Sequence, residues 1–243
     1  MNPLQNLRDV IGRIERQLKA PVAQRDKFER EMERKLGRIW KEQRDELMRL
    51  LGDPPSLSNV PQSYWNNGRA AIRKVIAPIF EEIFREQATA LISQVGIGVD
   101  WTLINSRAAD WALTHAVNFI TGIQNTERQT IADLISKFFS SEWSLDDLAD
   151  RINSFLFDKR RASQIAITEV TRAAVQAEVS TVNILEAEYR FLNFKPFWIT
   201  ANDDRVCDIC GPRHMKEIEG EDFPPAHVNC RCEVFYDMKV DKP

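Results

Sequence analysis

The sequence predicts a mainly α protein: a multi-helix body, then a small C-terminal β element clipped by a Cys/His site suited to zinc. Three observations predict it. Apolar residues recur at intervals of three and four from Leu4 to the region of Glu188, the period of amphipathic helices. Short aromatic and β-branched stretches enter only beyond that point. All 4 cysteines and two of the 3 histidines crowd into residues 207–232.

Size and composition narrow the classes. A chain of 243 residues can bury a real core, so disulfide stapling is not needed for size. A net charge of −3 gives no global drive toward nucleic acid, but the charge is uneven. Residues 1–51 hold 13 Lys+Arg against 9 Asp+Glu, so they carry +4 and the remainder −7. The start MNPLQNLRDV has no charged region followed by an apolar run, so no secretory signal is expected, and no apolar run reaches membrane-spanning length. The expected compartment is a reducing cytoplasm, where clustered cysteines bind metal more often than they form disulfides.

Residues 1–52 are expected to form a basic amphipathic helical hairpin. Leu4, Leu7, Val10, Ile11, Ile14 and Leu18 make one stripe that Pro21 should end. Phe28, Met32, Leu36, Ile39 and Trp40 begin a second, stopped at Gly52 and Pro54. Residues 53–66, rich in Pro, Ser and Asn, are expected to be a linker. Residues 67–188 form the helical body. Its first helix is kinked at Pro78 and ended by Gly96 and Gly98, and Asp100 caps the next. Two capping boxes, Thr126 with Gln129 and Ser144 with Asp147, open further helices. Residues 189–243 make the β module, with strands in RFLNFKPFWIT and CEVFYDM on either side of the cysteines.

The cluster reads Cys207-x2-Cys210, sixteen residues, His227-x2-Cys230-x-Cys232. A CxxC turn brings two sulfurs to one ion, and a second paired group returning later completes a tetrahedral zinc site. Cys230 and Cys232 face the same side if the segment is extended. Five donors thus compete for four places: Cys207, Cys210, Cys230 and either His227 or Cys232. His214, among charged residues, is expected to be solvated, and His115 to be an interior or interface side chain on a helix.

No catalytic residue is assigned. A zinc deaminase needs a Glu two residues after its first ligand and a Pro before its CxxC, and Val206 stands there instead. HExxH is absent, as is the βαβ context of a thioredoxin-like CxxC. A surplus of protein ligands favours a closed structural site over one with an open water position. Asp203 and Asp204 are expected to cap a turn and pair with Arg205 or Arg231.

Three stretches together resemble the phage Mu protein F-like family of minor head, or head morphogenesis, proteins. Arg161, Ala162, Ile165, Ala166, Thr168, Glu169, Arg172 and Ala173 fit its helix pattern. Thr200, Ala201, Asp203, Asp204, Arg205, Cys207 and Cys210 fit its strand and CxxC. Pro224, Pro225, His227, Asn229, Cys230, Arg231 and Cys232 fit its closing signature. The resemblance runs from about residue 100 to 236, with SLDDLADRIN in the place of a further family helix. Ala226 and Val228 stand where the family usually has prolines, which leaves the ligand set intact.

The resemblance implies a non-enzymatic virion component, present in few copies. It would be bound to the portal protein, with the scaffold or major capsid protein as further partners, and would act in head assembly and in DNA packaging or ejection. It would be found in the procapsid and mature head, and in the host cytoplasm during assembly, with no membrane contact. Phage DNA is an expected partner of the basic N-terminal helices. Two other classes fit less well: a zinc-dependent nuclease or toxin-like enzyme, and a free-standing DNA-binding module presenting Arg205, Arg213 and Arg231 to phosphate.

Overall fold

The structure, a computed structural model, describes residues 3–95, 98–200 and 206–240, with the side chains of the first helix described from Arg25 onward. It is mainly helical. Five α-helices, α1 (Pro3–Leu51), α2 (Gln62–Val95), α3 (Trp101–Ser140), α4 (Leu145–Leu156) and α5 (Lys159–Glu188), precede strands β1 (Leu192–Ile199) and β2 (Glu233–Val240). Among the described residues no helix is long and apolar enough to cross a membrane.

Several local expectations meet their geometry. The Asp100 carboxylate accepts the Thr102 N–H at 2.8 Å, which caps α3. Ser144 and Asp147 make both halves of a capping box at the start of α4.

Others are corrected. The expected hairpin over residues 1–52 is a single helix that runs through Pro21. An interior proline forfeits one backbone bond and crowds the carbonyl four residues back, and the Lys, Arg, Glu, Gln and Leu residues on both sides are strong enough helix formers to carry the chain through. The expected stripe Leu4–Leu18 lies outside the described side chains. Pro78, expected to kink its helix, does sit inside α2. Thr126 opens no helix: its hydroxyl bonds back to the Gly122 carbonyl at 3.0 Å within α3, the alternative use of a mid-helix threonine. Residues 53–66 are no loose linker either. Gly52 turns with φ +77°, the Asn59 amide donates to the Leu51 carbonyl at 2.8 Å, and Val60, Tyr64 and Trp65 are buried. Turn-forming composition marks a turn here, and its apolar members pack.

The chain divides into two compact units whose boundaries cut through helices rather than falling between them. One comprises residues 30–81 and 109–166. Its core joins Leu47 and Leu51, Tyr64 and Trp65, Ile131 of α3 and Ile152 of α4. Inside it Glu127 pairs with Arg161 at 3.4 Å, and the Arg161 guanidinium lies over the Trp40 ring.

The other unit comprises residues 1–29, 82–108 and 167–243 and holds the sheet. β1 and β2 pair antiparallel from Leu192↔Val240 to Ile199↔Glu233. Phe194 and Trp198 therefore share a face with Val234 and Tyr236, and that face packs on Val182 and Leu185 of α5. Trp198 is 2% exposed, and burying a side chain of that size contributes about 2–3 kcal/mol. Pro196 lacks an N–H, but only its carbonyl is needed, accepting from Ile218 N–H at 2.8 Å. A two-stranded sheet is marginal alone. Between the strands, Met215–Ile218 pairs back onto β1 and Gly211–Arg213 makes a 3-10 turn, which leaves the two cysteine turns to be ordered by other contacts.

Candidate metal centre

The donors come from two turns. Cys207 and Cys210 flank a tight turn in which the N–H groups of Cys210 and Gly211 both bond the Cys207 carbonyl, at 3.1 and 2.9 Å. His227 and Cys230 flank the second, where Cys230 N–H bonds the His227 carbonyl at 3.2 Å. Asn229, in this turn, has φ +66°, a left-handed conformation that asparagine tolerates better than most residues. Its N–H donates to Thr168 Oγ1 of α5 at 3.0 Å, which anchors the turn.

These turns bring the five sequence-predicted donors into two overlapping groups, Cys207–Cys210–His227 and Cys210–Cys230–Cys232, each with its donor atoms within 4.8 Å of one another. His227 Nε2 lies 3.1 Å from Cys207 Sγ and 3.2 Å from Cys210 Sγ, and Cys210 Sγ lies 3.8 Å from Cys230 Sγ. Four ligands around zinc with Zn–S of about 2.3 Å have a tetrahedral edge near 3.8 Å between sulfurs and roughly 3.5 Å between sulfur and nitrogen. The three short distances lie within a few tenths of an ångström of these edges, whereas no four of the donors lie within 4.8 Å of one another, so a four-ligand site requires the two groups to draw together around the ion. All four cysteines are free thiols, and neither group contains a carboxylate. Soft sulfur with imidazole is the donor chemistry of structural zinc.

Electrostatics around the sulfurs point the same way. Backbone N–H groups of Cys210 and Ile209 lead in holding the Cys207 thiol below its ordinary range. A hydrogen bond from Cys232, joined by the backbone N–H groups of Cys232 and Ala226, pulls Cys230 down to about 5 against its burial. Burial, with the neighbouring Cys230, pushes Cys210 up to about 12, and the hydrogen bond to Cys230 raises Cys232. Cys207 and Cys230 are shifted toward deprotonation, while burial leads in opposing it at Cys210 and the Cys230 hydrogen bond leads at Cys232, so ionising all of them needs an offsetting positive charge. A divalent cation supplies that offset, which is how metal binding couples to thiol deprotonation. His227 Nδ1 is 2.7 Å from the Val228 carbonyl, so Nδ1 carries the proton and Nε2 turns its lone pair toward the sulfurs. The Trp198 indole N–H, buried and without a partner of standard hydrogen-bond geometry among the described residues, acts on the Cys232 sulfur and opposes its rise.

The remaining predicted positions separate. Glu169 and Arg172 pair along α5 at 3.5 Å, and Thr168 holds Asn229. Arg161 belongs to the other unit. Asp203, Asp204 and Arg205 lie outside the described residues. Arg231 pairs with Glu29 at 2.7 Å and Asp26 at 3.2 Å on α1. His214 does more than face solvent: its Nδ1 accepts the Thr200 N–H at 3.1 Å and closes the end of β1, and it is in neither donor group. His115 is half-buried and stacks on Trp111 with ring centroids 4.6 Å apart. Sequence reasoning missed Asp26, Glu29 and Arg25 as partners of the C-terminal module. Asp26 and Glu29 stand three apart on one helix face, but such a pair of acids names no distant partner.

The architecture defines a class: a helical protein closing on a small β hairpin whose long connection is organised by a Cys/His donor cluster. Residues 129–235 match the family model described as Phage Mu protein F like protein, a stretch that includes all five donors and the Thr168–Asn229 contact. That stretch is similar to the Mu F-like family. No curated protein and no solved structure matches the chain.

Proposed function

We propose that this protein is a minor head protein of a tailed phage or prophage. It joins the portal in the procapsid, contributes to packaging or ejection of DNA, and catalyses nothing. The observation that carries the reading is the Mu F-like match over the stretch holding the donor cluster. Zinc is the proposed ion. Cys207, Cys210, His227 and Cys230 are the proposed ligands, because His227 Nε2 is the donor nearest to two sulfurs and Cys230 is within a tetrahedral edge of Cys210. Cys232 then stands beside the ion as a hydrogen-bond donor to Cys230. With four protein ligands and no open position, zinc supplies folding free energy rather than a reactive water.

The test is proteomic analysis of heads purified from cells producing the phage, with wild type and Cys207→Ser compared. The reading expects the wild-type protein in heads at low copy, recovered with portal rings after mild disruption, and the variant depleted from them. Absence of the wild-type protein from heads, or nuclease turnover that stops on chelation, would contradict it.

A further inference from the structure

Residues 230–233 alternate in what they hold. Cys230 and Cys232 turn into the donor cluster, whereas Arg231 and Glu233 reach α1. Arg231 Nη2 lies 2.7 Å from Glu29 Oε2 and its Nη1 lies 3.2 Å from Asp26 Oδ1. Arg25 Nη1 lies 3.3 Å from Glu233 Oε1. Three of these residues are deep: Arg25 is 6% exposed, Glu29 7% and Glu233 8%. Glu178 of α5, buried and bonded by the Gln87 amide, lies near Arg25 as well, and burial raises its carboxyl to about 8 against the pull of that cation.

Charges at that depth are stable only while paired. Arg25 and Glu29 therefore stay buried only while residues 231 and 233 present their partners in register. Glu233 begins β2 and pairs with Ile199, so the sheet holds it; Arg231 lies outside the sheet, between two cysteines of the donor cluster. We propose that metal binding at the cluster controls the docking of α1, with Cys230–Cys232 as the element shared by the ion and the helix. Loss of the ion frees residues 230–232, separates Arg231 from Glu29 and Asp26, and opens that side of α1 to water, where the Glu29 charge is solvated. Linkage makes the effect reciprocal, so a docked α1 tightens metal binding by the same factor. This inference rests on the metal reading given above.

The experiment is hydrogen–deuterium exchange on the full chain, zinc-loaded and then chelated, with zinc content measured on the same samples. The expected result is that exchange over residues 25–31 rises about tenfold on chelation while residues 148–156 keep their rate. Arg231→Ala should give the raised exchange even in zinc-loaded protein, still with one zinc per chain. Arg231→Lys, which keeps the charge, should fall between. Unchanged exchange over residues 25–31 in a sample that bound and then lost zinc overturns the latch and leaves the metal reading standing. A rise of equal size over residues 148–156 also overturns it, because that is global unfolding. A sample that never binds zinc overturns the metal reading, and the latch with it.

Discussion

The Asn229 backbone N–H donates to the Thr168 hydroxyl at 3.0 Å across 61 residues of sequence. One partner lies in the middle of α5 and the other between His227 and Cys230, so the helix grips the ligand turn directly. Removing the hydroxyl leaves a part-buried N–H without its acceptor. Thr168→Val should therefore lower stability by about 1–2 kcal/mol in denaturant unfolding of the zinc-loaded chain, while Thr168→Ser should stay near wild type. Equal losses in the two variants would show that the methyl group matters and the hydrogen bond does not.

Trp198 is the largest side chain joining the sheet to α5, and its indole N–H acts on Cys232. Trp198→Ala should cost about 3–5 kcal/mol, and Trp198→Phe, which keeps much of the volume, clearly less. Thermal unfolding of the two variants checks the order; a mild effect of the alanine would mean that the hairpin is held elsewhere.

Glu127 gives a pH signature in the unit comprising residues 30–81 and 109–166. Burial, opposed by Arg161, raises its carboxyl to about 7. The folded state then binds a proton that the unfolded chain has released above about pH 4.3, so stability is greatest at low pH and falls as pH rises toward 7. Glu127→Gln should flatten that decline, by roughly 3 kcal/mol across the window. Denaturant midpoints of wild type and variant at pH 5 and pH 7.5 measure it. Parallel slopes would remove Glu127 as the cause.

The surplus donor makes a sharper claim about ligand choice. Cys232→Ser should keep one zinc per chain, because serine still offers a hydrogen to Cys230, whereas His227→Ala should weaken binding at least about tenfold. Competition with a colorimetric chelator reads both. The reverse order would exchange the roles of His227 and Cys232.

The parts of this structure legible in the sequence were those set by local chemistry. The helical period, the Ser144–Asp147 box and the paired spacings Cys207-x2-Cys210 and His227-x2-Cys230 are each determined by near neighbours. Errors arose where a local signal had two outcomes. Thr126 can cap a helix or bond back to Gly122, and Pro21 can end a helix or be carried through one. A Pro/Ser/Asn stretch can be a linker or, as here, a packed turn holding Val60 that runs directly into a helix burying Tyr64 and Trp65. Contacts between distant segments left no readable pattern at all. Nothing near Arg231 in the chain announces Glu29, and Thr168 gives no sign that it will meet Asn229.

The central claim is that one metal ion joins the two cysteine turns into a folded module. Elemental analysis of full-length protein, purified under reducing conditions without added metal, tests it most directly. The account predicts close to one zinc per chain, lost in Cys207→Ser and in Cys210→Ser; folded, reduced wild-type protein with a ratio near zero would contradict it.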